Sequence, residues 1–145
     1  MTARDYLRQV KQYDMKAQGI KQEIEEMRSY LQSVHAMNYQ KPRVQQSADG
    51  DRMTDQLSKI EEKQNYFEQC VIDYVSYKQN VLEEIMQLSA PHFEILRLHY
   101  LDYVEQKEIA VQRMVQWESA HRYLQTATKA FYEMFKDVHG FESAL

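Results

Sequence analysis

Three glycines and two prolines in 145 residues leave this chain almost without backbone breakers. Both residue types are poor in helix interiors and common in turns. Their scarcity, beside abundant Gln, Glu, Lys, Leu and Met, excludes a turn-rich β architecture and predicts an all-α protein with long helices. A single cysteine, Cys70, excludes an intramolecular disulfide. It suits a reducing compartment, and its expected role is a buried structural thiol. No apolar run approaches the roughly 20 residues of a membrane span, and the opening MTARDYLRQVKQYD lacks the apolar core of a signal peptide. The expectation is therefore a soluble cytoplasmic protein with no membrane partner.

Basic excess is missing as well. The formal net charge is −4, with residues 1–50 carrying +2, residues 51–90 carrying −4 and residues 91–145 carrying −2. Bulk attraction to phosphate supplies most nonspecific DNA affinity, and this chain has none to offer. A DNA reader of this composition has to use the local face of one helix, dimerise, or rely on a partner that already holds DNA.

Catalytic and metal signatures are absent too. There is no nucleophile elbow, no phosphate-cradling glycine loop and no cysteine pair. Glu118 and His121 make one Glu-x-x-His element, whereas di-iron bundles need two such pairs and two further carboxylates. Neither His35, His92, His99 nor His139 has a Glu three residues before it. The expectation is a non-enzyme with no cofactor and no metal.

What the chain does have is helical periodicity. From Ala3 the small and apolar residues recur in steps of three and four: Ala3, Tyr6, Val10, Tyr13, Ala17, Ile20, Ile24, Met27, Leu31 and Val34. A sustained 3.5-residue repeat is what two helices wrapping left-handedly require. Gly19 falls inside this seam and marks either a local weakness or a close approach. Periodicity stops between Ala36 and Arg52, where Asn38, Pro42, Ser47, Asp49 and Gly50 supply turn chemistry. The expected polar loop covers residues 37–52, with Tyr39, Lys41 and Arg43 as candidates for binding a partner. A second seam follows through Met53, Leu57, Ile60, Phe67, Val71, Tyr74, Val81, Ile85 and Leu88, with the polar residues Gln64 and Lys78 at two of its positions. Beside it Ile72, Val75, Leu82 and Met86 form another apolar stripe, so this helix is expected to touch two neighbours. Most of the eleven tyrosines and eight methionines fall in or beside these stripes and read as packing residues.

Residues 1–90 thus predict a long antiparallel helical hairpin of coiled-coil type. Residues 91–137 predict a separate small helix-turn-helix bundle, and residues 138–145 a tail beyond a stop at Gly140. In the bundle, Pro91 opens a support helix carrying Phe93, Ile95, Leu96, His99 and Tyr100. A second helix from about Val104 is expected to bury Val104, Ile109, Ala110 and Met114, leaving Glu105, Gln106, Lys107, Glu108, Gln112 and Arg113 mostly outward. The third, from about Trp117 to Met134, is expected to turn Ala120, Tyr123, Ala127, Ala130, Phe131 and Met134 inward. Trp117, Glu118, Ser119, His121, Arg122, Gln125, Thr126 and Lys129 then lie on or beside its open face, and these types can contact phosphates and base edges.

The order Ile95-Leu96-Arg97-Leu98-His99-Tyr100-Leu101, then Glu108-Ile109-Ala110, then His121-Arg122 and Ala130-Phe131, resembles the C-terminal part of phage transcriptional regulators of the ArpU and RinA type. That part is in turn similar to region 4 of bacterial sigma factors. The resemblance implies a reader of double-stranded promoter DNA that works with host RNA polymerase, in the cytoplasm of a bacterial host. Two departures stand out. Met114-Val115-Gln116 occupies the turn where the family usually has a glycine, and Trp117 and Glu118 open the third helix where the family is polar or basic. The rival expectation is a helical interaction protein that binds a host or phage protein and keeps a degenerate reader. An oligomeric scaffold would explain residues 3–88 alone. Because the paired stripes of the second helix exceed what one partner can cover, a homo-oligomer, most simply a dimer, is also expected.

Overall fold

A computed structural model of the chain describes the backbone of residues 1–38 and 46–145 and the side chains of residues 1–34 and 51–145. Tyr39, Lys41 and Arg43, the candidate loop contacts, lie outside the described residues. The fold is all-α. Helix α1 spans Ala3–Asn38, α2 Gln46–Ile85, α3 Ala90–Leu96, α4 Gln106–Gln112 and α5 Trp117–His139, and a π-helical turn, Arg97–Leu101, follows α3. No strand occurs among the described residues. Neither long helix is interrupted, as the scarcity of breakers requires.

The expected loop is shorter at its far end than its composition implied, because α2 already begins at Gln46. A lone glycine costs a helix about 1 kcal/mol, which is too little for Gly50 to stop one that continues for 40 residues.

Helices α1 and α2 pack together as an antiparallel pair. Two compact units divide the chain: residues 14–73, and residues 1–13 with 74–145. In the first, Ala17 and Ile24 of α1 and Ile60 and Cys70 of α2 are buried. The buried thiol agrees with the structural role expected of Cys70. Polar groups rim this seam. Lys63 pairs with Glu23, Arg28 Nη2 donates to Gln64 Oε1 at 3.1 Å, and the Lys16 ammonium lies over the Tyr66 ring. Exposed pairs of this kind contribute about 0–1 kcal/mol each, so the narrow apolar seam carries the packing. Leu57 does not join it. The face set by Met53, Ile60 and Phe67 leaves Leu57 to one side, 55 % exposed, while Gln56 takes the half-buried position. Gly19 has open space where a Cβ would stand, so no close approach explains it.

The second unit corrects the expected division at residue 90. Its core joins Ala3, Leu7 and Val10 of α1 and Val81 and Ile85 of α2 to Ile95, Leu96, Tyr100, Leu101, Ile109, Ala110, Ala120, Leu124, Ala127, Phe131, Phe135 and Phe141. Two seven-residue helices and α5 cannot bury enough apolar surface alone. The ends of the long helices supply the missing wall. Of the second α2 stripe, Leu82 packs against this core, whereas Ile72, Val75 and Met86 remain more than half exposed.

The tail belongs to this unit as well. Gly140 ends α5 at φ 65°, a left-handed position that glycine takes without steric cost. Phe141 then turns into the core, while Leu145 stays partly exposed. Further on, the Ser143 and Ala144 carbonyls accept the N–H groups of Ala3 and Arg4 at 2.9 and 3.0 Å. Those donors have no partner within α1, because the first turn of any helix leaves its N–H groups unpaired. Thr2 completes the cap, its Oγ1 accepting the Asp5 N–H at 3.1 Å.

A candidate nucleic-acid interface

Helix α5 packs on both short helices, α3 and α4. Between α3 and α4 the π-helical turn closes through the Asp102 N–H to the Arg97 carbonyl and the Val104 N–H to the Leu98 carbonyl, both 2.9 Å. Tyr103 follows at φ 59°. Its strain is offset by side-chain contacts: the hydroxyl lies 3.5 Å from the Tyr74 hydroxyl, and the Lys11 ammonium sits over the ring.

His99 anchors the same turn, with Nδ1 3.0 Å from the Val104 carbonyl oxygen. Burial holds its imidazole below the ordinary histidine range, the Val104 carbonyl opposing and Arg8 and Lys11 reinforcing the shift. In the unfolded chain His99 takes up its proton near pH 6.5; in the folded chain it does so only at lower pH. The unfolded state therefore binds more protons between those two values, and stability falls as pH drops through that window and levels off beneath it. Urea midpoints measured from pH 7 to pH 5 should show this loss, and His99→Gln should flatten it. An equal slope in the variant assigns the acid sensitivity elsewhere.

Between α4 and α5 the backbone turns at Met114, at φ 53°, a left-handed position that glycine takes more readily. Unlike Tyr103, Met114 is 94 % exposed and gains no packing in return, which corrects the expectation that it is buried on α4. A left-handed residue with a Cβ costs about 1–2 kcal/mol. Met114→Gly is expected to stabilise the fold by about 0.5–1 kcal/mol, net of the extra freedom glycine brings to the unfolded chain. A lowered urea midpoint would contradict it.

Helix α5 also needs a correction. Its buried face is Ala120, Leu124, Ala127, Thr128, Phe131 and Phe135, while Tyr123 and Met134 are 48 % and 47 % exposed. Tyr123 and Leu124 both lie about one turn beyond Ala120, so helical spacing alone does not choose between them. Packing on α3 and α4 turns Leu124 inward, and the same phase buries Phe135 rather than Met134. Thr128 is tolerated inside because its hydroxyl donates to the Leu124 carbonyl at 2.9 Å.

The opposite face holds most of the expected contacts. Glu118, Arg122, Thr126 and Lys129 are exposed, while Ser119, His121 and Gln125 are half-buried. Thr126 turns its hydroxyl to its own helix, donating to the Arg122 carbonyl at 2.9 Å. Trp117, half exposed, lies flat on His121, with ring centroids 5.2 Å apart and planes 9° apart. His121 reaches across to α4, Nδ1 standing 3.0 Å from Gln106 Oε1, and its Nε2 stands 3.0 Å from Gln125 Nε2. Both ring nitrogens are thus engaged. Sequence reading placed Gln106 on the outer surface and missed this role, since the pair spans 15 residues; the i, i+4 spacing of His121 and Gln125 was the visible half of the network. No protein-family model, curated protein or solved structure matches the chain.

Charge on this face is sparse. Lys136 pairs with Glu133 at 2.8 Å, and Arg113 lies 3.9 Å from Glu94. Arg122 and Lys129 are the cations that α5 presents outward among its central turns. Val111, near the end of α4, and Met114, in the turn after it, are 77 % and 94 % exposed.

Proposed function

We propose that this chain is a phage-encoded transcriptional regulator that reads promoter DNA with the outer face of α5 and acts together with host RNA polymerase. The observation that carries the reading is the short α4, the left-handed turn at Met114 and the α5 face bearing Arg122, Gln125 and Lys129. Arginine offers the bidentate fork that suits guanine, and lysine meets phosphate as a point charge. With a net charge of −4 and two outward cations on this face, affinity per monomer is low and the salt dependence shallow, at a slope of about −0.9 per neutralised phosphate. The exposed Ile72 and Val75 on α2, with Met86 just beyond its end, support a dimer that doubles those contacts.

The test is a salt-titrated binding measurement on duplexes from the encoding phage's late promoter region, with and without RNA polymerase. Arg122→Ala should cost about 1–3 kcal/mol on the preferred site, while Lys129→Ala should weaken all sequences alike and reduce the salt slope by about 1. Binding that requires polymerase supports the shared arrangement. An unchanged Arg122→Ala would remove the DNA reading, and a single sedimenting species of monomer mass at all concentrations would remove the dimer.

A second reading rests on the exposed Val111, Met114 and Trp117 around the turn. Apolar side chains there suit a protein partner better than a phosphate backbone. Under that reading the chain is a non-enzymatic interaction protein, and substitutions at these three positions, rather than at Arg122, abolish function.

A further inference from the structure

Resting on the DNA-reading assignment, we propose that Gln125 reads an adenine in the major groove and that Gln106 and His121 are positioning residues which fix the direction of its amide. The argument starts from the ring nitrogens of His121. Gln106 Oε1 can only accept, so Nδ1 at 3.0 Å carries the proton and donates to it. The Nε2 of a neutral ring protonated at Nδ1 is an acceptor, and it takes one N–H of the Gln125 amide at 3.0 Å. Donation thus runs one way, from Gln125 to His121 to Gln106.

Two contacts hold the imidazole in place. Trp117 covers the imidazole face, so the ring cannot turn over without unstacking. Gln106 is the first residue of α4 and is held by that helix. Were the Gln125 amide to flip, its Oε1 would face the Nε2 lone pair, setting two acceptors against each other.

What Gln125 has left is one carbonyl oxygen and one N–H, in a fixed orientation on the same side of α5 as Arg122. The major-groove edge of adenine presents an acceptor at N7 and a donor at N6, which that pair matches. Guanine presents two acceptors, O6 and N7, and one of them would oppose the Gln125 carbonyl. Arg122, three residues earlier, has the complementary preference. A guanine followed closely by an adenine is the pattern this face selects.

The experiment uses the full chain and a pool of duplexes with a randomised central segment, sequenced before and after capture on the protein. Thermal midpoints confirm that each variant is folded. Wild type should enrich a guanine and a nearby adenine. Gln125→Ala should cut the adenine preference about tenfold and leave the guanine. His121→Phe, which keeps a flat ring under Trp117 but has no acceptor, should relax the adenine position while the guanine preference set by Arg122 is kept. Gln106→Ala should do the same from the other helix, a response that a merely structural role would not produce. Loss of the guanine in Arg122→Ala together with an adenine preference that survives Gln125→Ala would overturn this inference and leave DNA reading in place. An adenine lost in Gln125→Ala but kept in both His121→Phe and Gln106→Ala would overturn the positioning relay. No enrichment by wild type would overturn both the inference and the reading beneath it.

Discussion

Phe131→Ala is expected to lower the unfolding free energy by about 3–5 kcal/mol, the range for deleting a buried aromatic ring. Phe131 is fully buried. Its ring centroid lies 4.9 Å from that of Phe135 and 6.0 Å from those of Tyr6 and Phe141, so one side chain joins α5 to α1 and to the tail. Removing it leaves a cavity facing three separate segments. A domain of ordinary stability, about 5–15 kcal/mol, would lose a large fraction of its margin. The matched control is Tyr123→Ala on the same helix. With Tyr123 about half exposed, the change should stay within about 0.5 kcal/mol. Urea denaturation of both variants decides which stripe of α5 faces inward, and a larger loss at Tyr123 than at Phe131 would reverse the assignment.

Leu7→Ala is expected to cost about 2–5 kcal/mol and, more tellingly, to destabilise α3, α4 and α5 although Leu7 lies more than 80 residues before them in the chain. Leu7 is fully buried in the core that α1 shares with α3, α4 and α5. The only tryptophan, Trp117, sits at the start of α5, so its fluorescence reports on α5 and its neighbours while far-ultraviolet circular dichroism reports total helix. In Leu7→Ala the fluorescence midpoint should fall to lower urea. A variant whose circular dichroism shifts while its Trp117 transition stays fixed would restore the picture of an independent bundle beyond residue 90.

Much of the candidate interface was legible because an exposed helical face needs only periodicity to define it. Glu118, Arg122, Thr126 and Lys129 fall opposite any plausible buried stripe of α5, so a small error in that stripe did not move them. The inward side was less forgiving. Tyr123 and Leu124 are neighbours in sequence and both are large, and only packing against short crossing helices shows which one is buried. The relay through Gln106 lay beyond reach for another reason: its two halves belong to different helices, and hydrogen-bond partners across a turn are set by the angle between those helices.

The sequence by itself determined the helical class, the existence of two long helices, the pairing of their seams and the stop at Gly140. Each follows from local rules, namely breaker scarcity, a 3.5-residue repeat and the left-handed freedom of glycine, which act within a few residues of the chain. Tertiary structure alone decided that Leu7, Ile85 and Phe141 wall the core beneath α3, α4 and α5, that the tail carbonyls cap the first turn of α1, and that His121 is held between Gln106 and Gln125. Those outcomes depend on which surfaces are left uncovered once the helices form. Burial is a property of the assembled core, and no stretch of sequence carries it alone.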